Sequence, residues 1–169
     1  LRMEQVQTDK ILEIGILLAA ERNYDDLLAK IVDCAMDLTK SDGGTLYLYE
    51  DGQLRFCITK NISLGVNRKG TGGEQYPPVA MREKNVCACA AIHRKLLNIE
   101  DAYSCGEFDF SGPREYDKLT GYHTKSILVF PMVNHEGKLV GVVQLINAQN
   151  EAGEVVTFRK EYEKVLESL

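Results

Sequence analysis

Five cysteines, Cys34, Cys57, Cys87, Cys89 and Cys105, are the most reactive side chains that this sequence offers. They form an odd set without the spacing of a secreted disulfide framework, which fits reduced thiols in a cytoplasmic protein. Cys87-Ala88-Cys89 with His93 four residues on puts soft ligands on one helical turn. Structural zinc needs two ligand pairs at set spacings, and no second pair occurs, so no metal is expected and small buried hydrophobes are the reading. Gly70-Thr71-Gly72-Gly73 has the glycine content of a phosphate cradle but lacks the Gly-Lys-Ser/Thr ending and the strand-to-helix setting. A mobile loop is expected there. Gln144 is the one polar side chain between Leu139 and Ile146. A buried amide needs partners, which either a neighbouring backbone group or a ligand supplies.

The elements that must position these groups are readable from periodicity. Residues 3–21 predict a helix with Ile11, Ile14 and Leu18 at heptad-like spacing, a stripe suited to dimer contact. Asn23 can cap a second helix, with Asp26 in its first turn, Leu27, Ile31, Ala35 and Leu38 on one apolar face, and Gly43-Gly44 ending it. Thr45 to Tyr49 alternates, Asp51-Gly52 is a preferred two-residue turn, and Leu54, Phe56 and Ile58 alternate again. Such a hairpin sets Tyr49 opposite Leu54, Tyr47 opposite Phe56 and Thr45 opposite Ile58, these six on one face, with Leu46 and Leu48 on the other. Two largely apolar faces imply helices on both sides of the sheet. Residues 61–80 read as loop, 86–94 as a short helix and 96–99 as a short strand. Segments 126–133 and 139–147 are apolar on both faces and flank a turn at 134–138. Pro131, which cannot donate to a ladder, marks a bulge or a locally unpaired position. Thr157 can cap a final helix whose stripe is Phe158, Tyr162, Val165, Leu166 and Leu169. Cys34 and Cys57, on a helix stripe and in a strand, are expected to be inert core thiols.

Composition bounds the function. With 169 residues the chain fits one domain with a full core. A net charge of −5 lacks the basic excess that nucleic-acid backbones require, so no nucleic acid is expected as partner. No apolar run reaches transmembrane length and no signal peptide is recognisable, so no membrane contact by this segment is expected. Leu1 and Leu169 both fall inside helical patterns, which reads as a piece of a longer protein.

The string Leu97-Asn98-Ile99-Glu100-Asp101-Ala102-Tyr103, then Asp117 with Thr120-Gly121-Tyr122-His123-Thr124-Lys125-Ser126-Ile127-Leu128, resembles the GAF domains of cyclic-nucleotide phosphodiesterases. It is also similar to GAF domains that precede HD-type phosphohydrolases and diguanylate cyclases in bacterial signalling proteins. Val140 to Asn147 continues the match. The resemblance implies an α+β, GAF/PAS-like fold with a central six-stranded antiparallel sheet flanked by helices. Residues 1–169 are then a single sensory domain, with leading helices over 1–40 and an exit helix over 155–169 ahead of an output domain. It implies a regulatory small-molecule-binding module, not itself an enzyme, without a cofactor, sensing a cyclic nucleotide and forming a homodimer through its terminal helices.

In cyclic-nucleotide-binding members the ligand contacts fall at positions that here are Thr45, Asp117, Thr120, Thr124 and Gln144, with backbone amides around Val86 and Cys87 facing the phosphate. Asp117 either touches ligand or anchors the lid. Position 144 is commonly acidic in those members, so glutamine changes which base is accepted. Those members also carry an Asn-Lys pair and, on the exit helix, a phenylalanine and an Asp-Glu pair. Asn147, Phe158 and Glu163 are present here, but Ala148 stands for the lysine and Tyr162 for the aspartate, so that ion pair is absent. Two alternatives come from the same resemblance. One is a free methionine sulfoxide reductase-like enzyme, in which Cys87 matches a cysteine position but Thr120 stands at the lid cysteine, leaving Cys105 as substitute. The other is a ligand-free dimerisation module. A bilin pigment is not expected, because no lid cysteine is followed by the histidine such sensors favour.

Overall fold

The computed structural model describes residues 24–69 and 78–167. The helix expected over 3–21, the Asn23 cap, the Gly70–Gly73 run and Leu169 lie outside the described residues. Among the described residues, eight strands and four helices occur in the order α1 (Tyr24–Thr39), β1 (Ser41–Glu50), β2 (Gln53–Asn61), β3 (Val66–Lys69), β4 (Val79–Ala80), α2 (Val86–His93), β5 (Leu97–Ile99), α3 (Ser111–Thr120), β6 (Ile127–Val133), β7 (Leu139–Gln149), β8 (Val155–Val156) and α4 (Glu161–Glu167). The sheet runs β3-β2-β1-β7-β6-β5, antiparallel throughout. The expected six strands make this path; the two-residue β4 and β8 pair with β2 and β7.

Alternation of apolar side chains puts a core on each face. One face packs Leu46, Ile58, Leu128, Phe130, Val143 and Leu145 against α1 and α4; the other packs Tyr47, Leu54, Ile127, Val129 and Val142 against α2 and the segment leading into α3. Burying one Leu or Phe completely contributes about 1.5–3 kcal/mol, so the two clusters together carry the fold. The β1–β2 turn forms as expected, with Asp51 and Gly52 both at positive φ, the conformation of a two-residue hairpin turn.

The rest of the hairpin register differs. Tyr49 faces Leu54 and Tyr47 faces Phe56, but a bulge between Leu46 and Tyr47 pairs Leu46 with Ile58 and Thr45 with Thr59. The extra residue on β2, Cys57, offsets the pairing from Ile58 onward, so Ile58 joins the α1 face instead of sharing a face with Thr45. Of the expected α1 stripe Ala35 and Leu38 are buried, with Leu28, Val32 and Met36 completing the buried face, while Leu27 and Ile31 are half-buried at its rim. Cys57 is buried, but Cys34 is half-buried and outside both clusters.

Gly43 and Gly44 do not end the helix, which stops at Thr39 with Lys40 at positive φ; they belong to β1. A Cβ on Gly44 would meet Met36 and Val32 at 3.0 Å and one on Gly43 would meet Ile146 at 2.7 Å, so their smallness serves close approach across the sheet. Residues 61–80 are not all loop, since β3 and β4 pair with β2. Pro131 lies past the β5–β6 pairing, which covers 127–129, and next to a register shift at Met132/Val133. The final helix starts at Glu161, not at a Thr157 cap, because Val155 and Val156 are taken by pairing with β7.

Candidate functional site

The central strands β1 and β7 bring Thr45 and Gln144 side by side. Their face is fixed by alternation: Gly44 points at α1, and the next position points at the lid layer built from α2 and α3. In the middle of a sheet covered on both sides, full burial is expected, yet Thr45, Gln144 and Ile146 are only half-buried. The lid layer therefore leaves a hollow over this part of the sheet.

Above it stands the start of α2. Asn85 caps the helix, its side chain accepting from the Ala88 amide at 3.1 Å. By helix geometry the amides of Val86 and Cys87 have no partner within the helix. The Cys87 thiol donates to Gln144 Oε1 at 3.1 Å. Burial pushes the Cys87 thiol up to about 12, with the neighbouring Tyr47 hydroxyl pulling the other way. Burial likewise raises Tyr47 well above the ordinary tyrosine range. A thiol so placed is a neutral donor and not a nucleophile.

Asp117 and Thr124 form a second, separate group. Asp117 is buried and its carboxylate accepts from the Thr124 amide and hydroxyl, each at 2.8 Å, and from the Tyr103 hydroxyl. One carboxylate thus ties the end of α3 to the chain before and after it. The hydrogen bond to Asp117 raises the Tyr103 phenol. Tyr103 stacks on His123 with 4.6 Å between ring centroids, and the Arg114 guanidinium lies 5.3 Å from the tyrosine ring on the same exposed surface. Thr120 is exposed at the end of α3, its hydroxyl accepting from the Tyr122 amide at 3.3 Å. Of the seven residues expected to face a ligand, the structure joins Thr45, Gln144, Cys87 and Val86 around the hollow, ties Asp117 to Thr124, and leaves Thr120 outward.

Two residues at the base of the lid do more than the sequence indicates. Asn147, at positive φ, donates to the Tyr122 hydroxyl at 2.9 Å and the His123 carbonyl at 2.8 Å, and accepts from the Lys125 amide at 2.7 Å. Tyr122 donates to buried Asp42 at 2.8 Å, and burial, then this bond, push its phenol up. In the sequence Asn147 stands out only as part of a motif; the available signal is that asparagine tolerates positive φ better than most residues. Of the two replaced positions, Ala148 is buried in the α1-side core and Tyr162 packs half-buried against it. Glu163 and the Phe158 carbonyl both accept from Asn98, at 3.3 and 2.9 Å, which docks α4 on β5.

His93 pairs with Glu83 at 2.9 Å, Cys89 is half-buried, and no group of three metal-ligating side chains occurs among the described residues. A groove of about 570 Å³ opens on the opposite side, lined by Asp33, Asp37, Lys40, Lys60, Asn61 and Gln149 among others, with Lys60 ion-paired to Asp33. None of the seven expected residues lines it.

A two-faced antiparallel sheet with one face closed by packed helices and the other roofed by a tethered lid over half-buried polar groups is the architecture of a small-molecule sensory module. The chain belongs to the GAF domain family, whose pattern matches residues 23–169. A dual 3',5'-cyclic-AMP and -GMP phosphodiesterase 11A of Takifugu rubripes is 42% identical over 84 residues, covering 50% of this chain and 8% of that protein. A cGMP-specific 3',5'-cyclic phosphodiesterase of Drosophila ananassae is 31% identical over 142 residues, covering 79% of this chain and 12% of the relative. The GAF domain of an Acinetobacter phosphoenolpyruvate-protein phosphotransferase superposes with a TM-score of 0.71 at 18% identity, covering 96% of this chain and 87% of that one. The chain thus spans only about a tenth of the length of these phosphodiesterase relatives.

Proposed function

We propose that this domain regulates a larger signalling protein by binding a cyclic nucleotide in the hollow between Gln144, Thr45 and the start of α2. The observation that carries this reading is the half-burial of Thr45 and Gln144 at the centre of the sheet, where packing alone would close over them. The chemistry suits a purine nucleotide: amide and hydroxyl groups for a base edge, the half-buried apolar side chain of Ile146 beside them, and helix-start amides for an anion. Two phosphodiesterase relatives named for cyclic nucleotides support the ligand class. We read the domain as non-catalytic in itself, with chemistry left to an attached output domain. A neutral, buried Cys87 thiol works against the sulfoxide reductase alternative, since that cycle begins with a thiolate.

Calorimetric titration of cyclic AMP and cyclic GMP into the 169-residue chain tests the reading. One lost hydrogen bond in such a site costs about 0.5–1.5 kcal/mol. Thr45→Val and Gln144→Leu should each weaken binding roughly two- to tenfold while leaving the unfolding midpoint nearly unchanged. No heat with either nucleotide removes cyclic-nucleotide sensing, and unchanged affinity in the double variant moves the ligand elsewhere.

A further inference from the structure

Two segments far apart in the chain meet on the buried side chain of Asp42, at the start of β1. Its Oδ2 accepts from the Tyr122 hydroxyl at 2.8 Å and its Oδ1 from the Ser63 amide at 3.2 Å, while its backbone carbonyl accepts from the Ile62 amide at 2.8 Å. The groups themselves fix these directions. A backbone N–H only donates and a carboxylate only accepts. The Tyr122 oxygen accepts from Asn147 Nδ2, and the Lys125 amide on Asn147 Oδ1 sets which way that side chain faces. Ser63 lies in the turn over 62–65, closed by the Gly65 amide on the Ile62 carbonyl at 3.2 Å. Asn61, Ile62 and Gly65 line the groove of about 570 Å³. One carboxylate therefore joins the end of the lid, 80 positions away, to the wall of that groove.

We propose that Asp42 is a two-sided latch, so that release of Tyr122 when the lid opens also releases the 62–65 turn and the groove wall follows the state of the hollow. The two oxygens sit on one carbon and share one torsion. A buried carboxylate that loses a donor gives up a charge-assisted bond and stays under-satisfied until it turns toward water. That rotation carries Oδ1 along with Oδ2 and takes it off the Ser63 amide. Asn61, at the foot of the turn, accepts from the Leu64 amide at 3.0 Å through Oδ1 but keeps its buried Nδ2 without a partner. The closed turn thus carries an unmet donor and is poised, not locked. The latch works for any occupant of the hollow and does not require a cyclic nucleotide.

Amide hydrogen exchange of the 169-residue chain, followed by NMR with no ligand added, tests the latch. Tyr122→Phe removes the hydroxyl alone. It should speed exchange about tenfold at Thr124 and Lys125, as loss of one hydrogen bond to a charged group implies. At Ile62, Ser63 and Leu64 the rise should be about fivefold or more, with Leu46, Leu128 and Val143 unchanged. Coupling between two sites is reciprocal, so loosening the turn must loosen the lid. Ser63→Pro deletes the N–H that Oδ1 accepts, at the second position of a turn, where proline is favoured. It should speed Thr124 and Lys125 about fivefold or more, which a merely local role for the Ser63 bond would not do. Circular dichroism establishes that both variants fold; should Ser63→Pro fail to fold, the response of the turn to Tyr122→Phe decides. Acceleration confined to the substituted side overturns the latch, and so does no acceleration or an equal rise in β1, β6 and β7. Failure of a cyclic nucleotide to bind leaves these rates as they are, so the two readings fail separately.

Discussion

Cys87 is a thiol used as a fixed neutral donor, and its titration gives a pH signature. In the unfolded chain such a thiol ionises around its ordinary value of 9.0, whereas burial keeps it protonated to about 12 in the fold. Below pH 9 both states hold the proton and the contribution is constant. Above it the unfolded state sheds the proton first, so stability falls as pH rises, by at most about 1.4 kcal/mol per pH unit until the folded thiol also ionises. Urea unfolding between pH 8 and 10 should show this decline in the wild type and a smaller one in Cys87→Ser, where Cys89, also raised by burial, still contributes. Tyr47, whose raised titration starts from 10.0, adds a further loss above pH 10 that the serine variant retains. A flat wild-type profile through pH 10 would show that the thiol is not held as the structure has it. The same environment predicts slow alkylation of Cys87 by iodoacetamide, while the half-buried Cys89 and Cys105 react first.

At the scale of elements, the β1–β7 junction is where substitution is least tolerated. A Cβ on Gly141 would lie 2.1 Å from the Tyr47 carbonyl oxygen and 3.1 Å from the end of Met132. The first of these neighbours is backbone in a central strand and cannot swing aside. Gly141→Ala should therefore force the two strands apart and destabilise the domain by about 3 kcal/mol, the upper end for overpacking. Gly44→Ala meets flexible Met36 atoms and Val32 at 3.0 Å and should cost less, about 1–2 kcal/mol. Thermal melts of the two variants check the order, and a Gly141→Ala protein as stable as wild type would contradict the close approach. This junction also carries Thr45 and Gln144, so its rigidity fixes the floor of the hollow.

For the molecule as a whole, strand protection should track position in the sheet. β1, β6 and β7 are covered on both faces, and β1 and β7 are paired on both edges, whereas β3 and β5 are edges and β4 and β8 are two-residue additions. Native-state hydrogen exchange should find the slowest amides in Leu46, Leu128, Val143 and their neighbours, and exchange faster by orders of magnitude in β3, β4 and β8. The segment 101–125 should open below the global free energy, because few hydrogen bonds hold it to the sheet: Asn147 to residues 122–125 and Tyr122 to Asp42, with Asp117 joining it internally to Thr124 and Tyr103. Uniform protection of lid and sheet would show that they unfold together. No helix of the described residues is long and apolar enough to cross a membrane.

The sequence by itself determined the order of the longer strands and of the helices over 24–39 and 86–93, the Asp51-Gly52 hairpin turn, two covered sheet faces and the family, since each is written in neighbouring residues; β3, β4, β8 and α3 were not legible there. It also pointed to Gln144, as a lone polar side chain in an apolar strand, and to Thr45 through resemblance. Tertiary structure decided the rest. The bulge that moved Ile58 to the other face depends on how β1 must fit β2 and β7 at once. Gly43 and Gly44 read as a helix stop because glycine's local meaning is conformational freedom, whereas their service is to admit Ile146 and Met36 from elsewhere in the chain. The hydrogen bond from Cys87 to Gln144 joins α2 to β7. It spans 57 positions, and no local pattern encodes a hydrogen bond between groups that only the closed sheet and its lid bring within 3.1 Å.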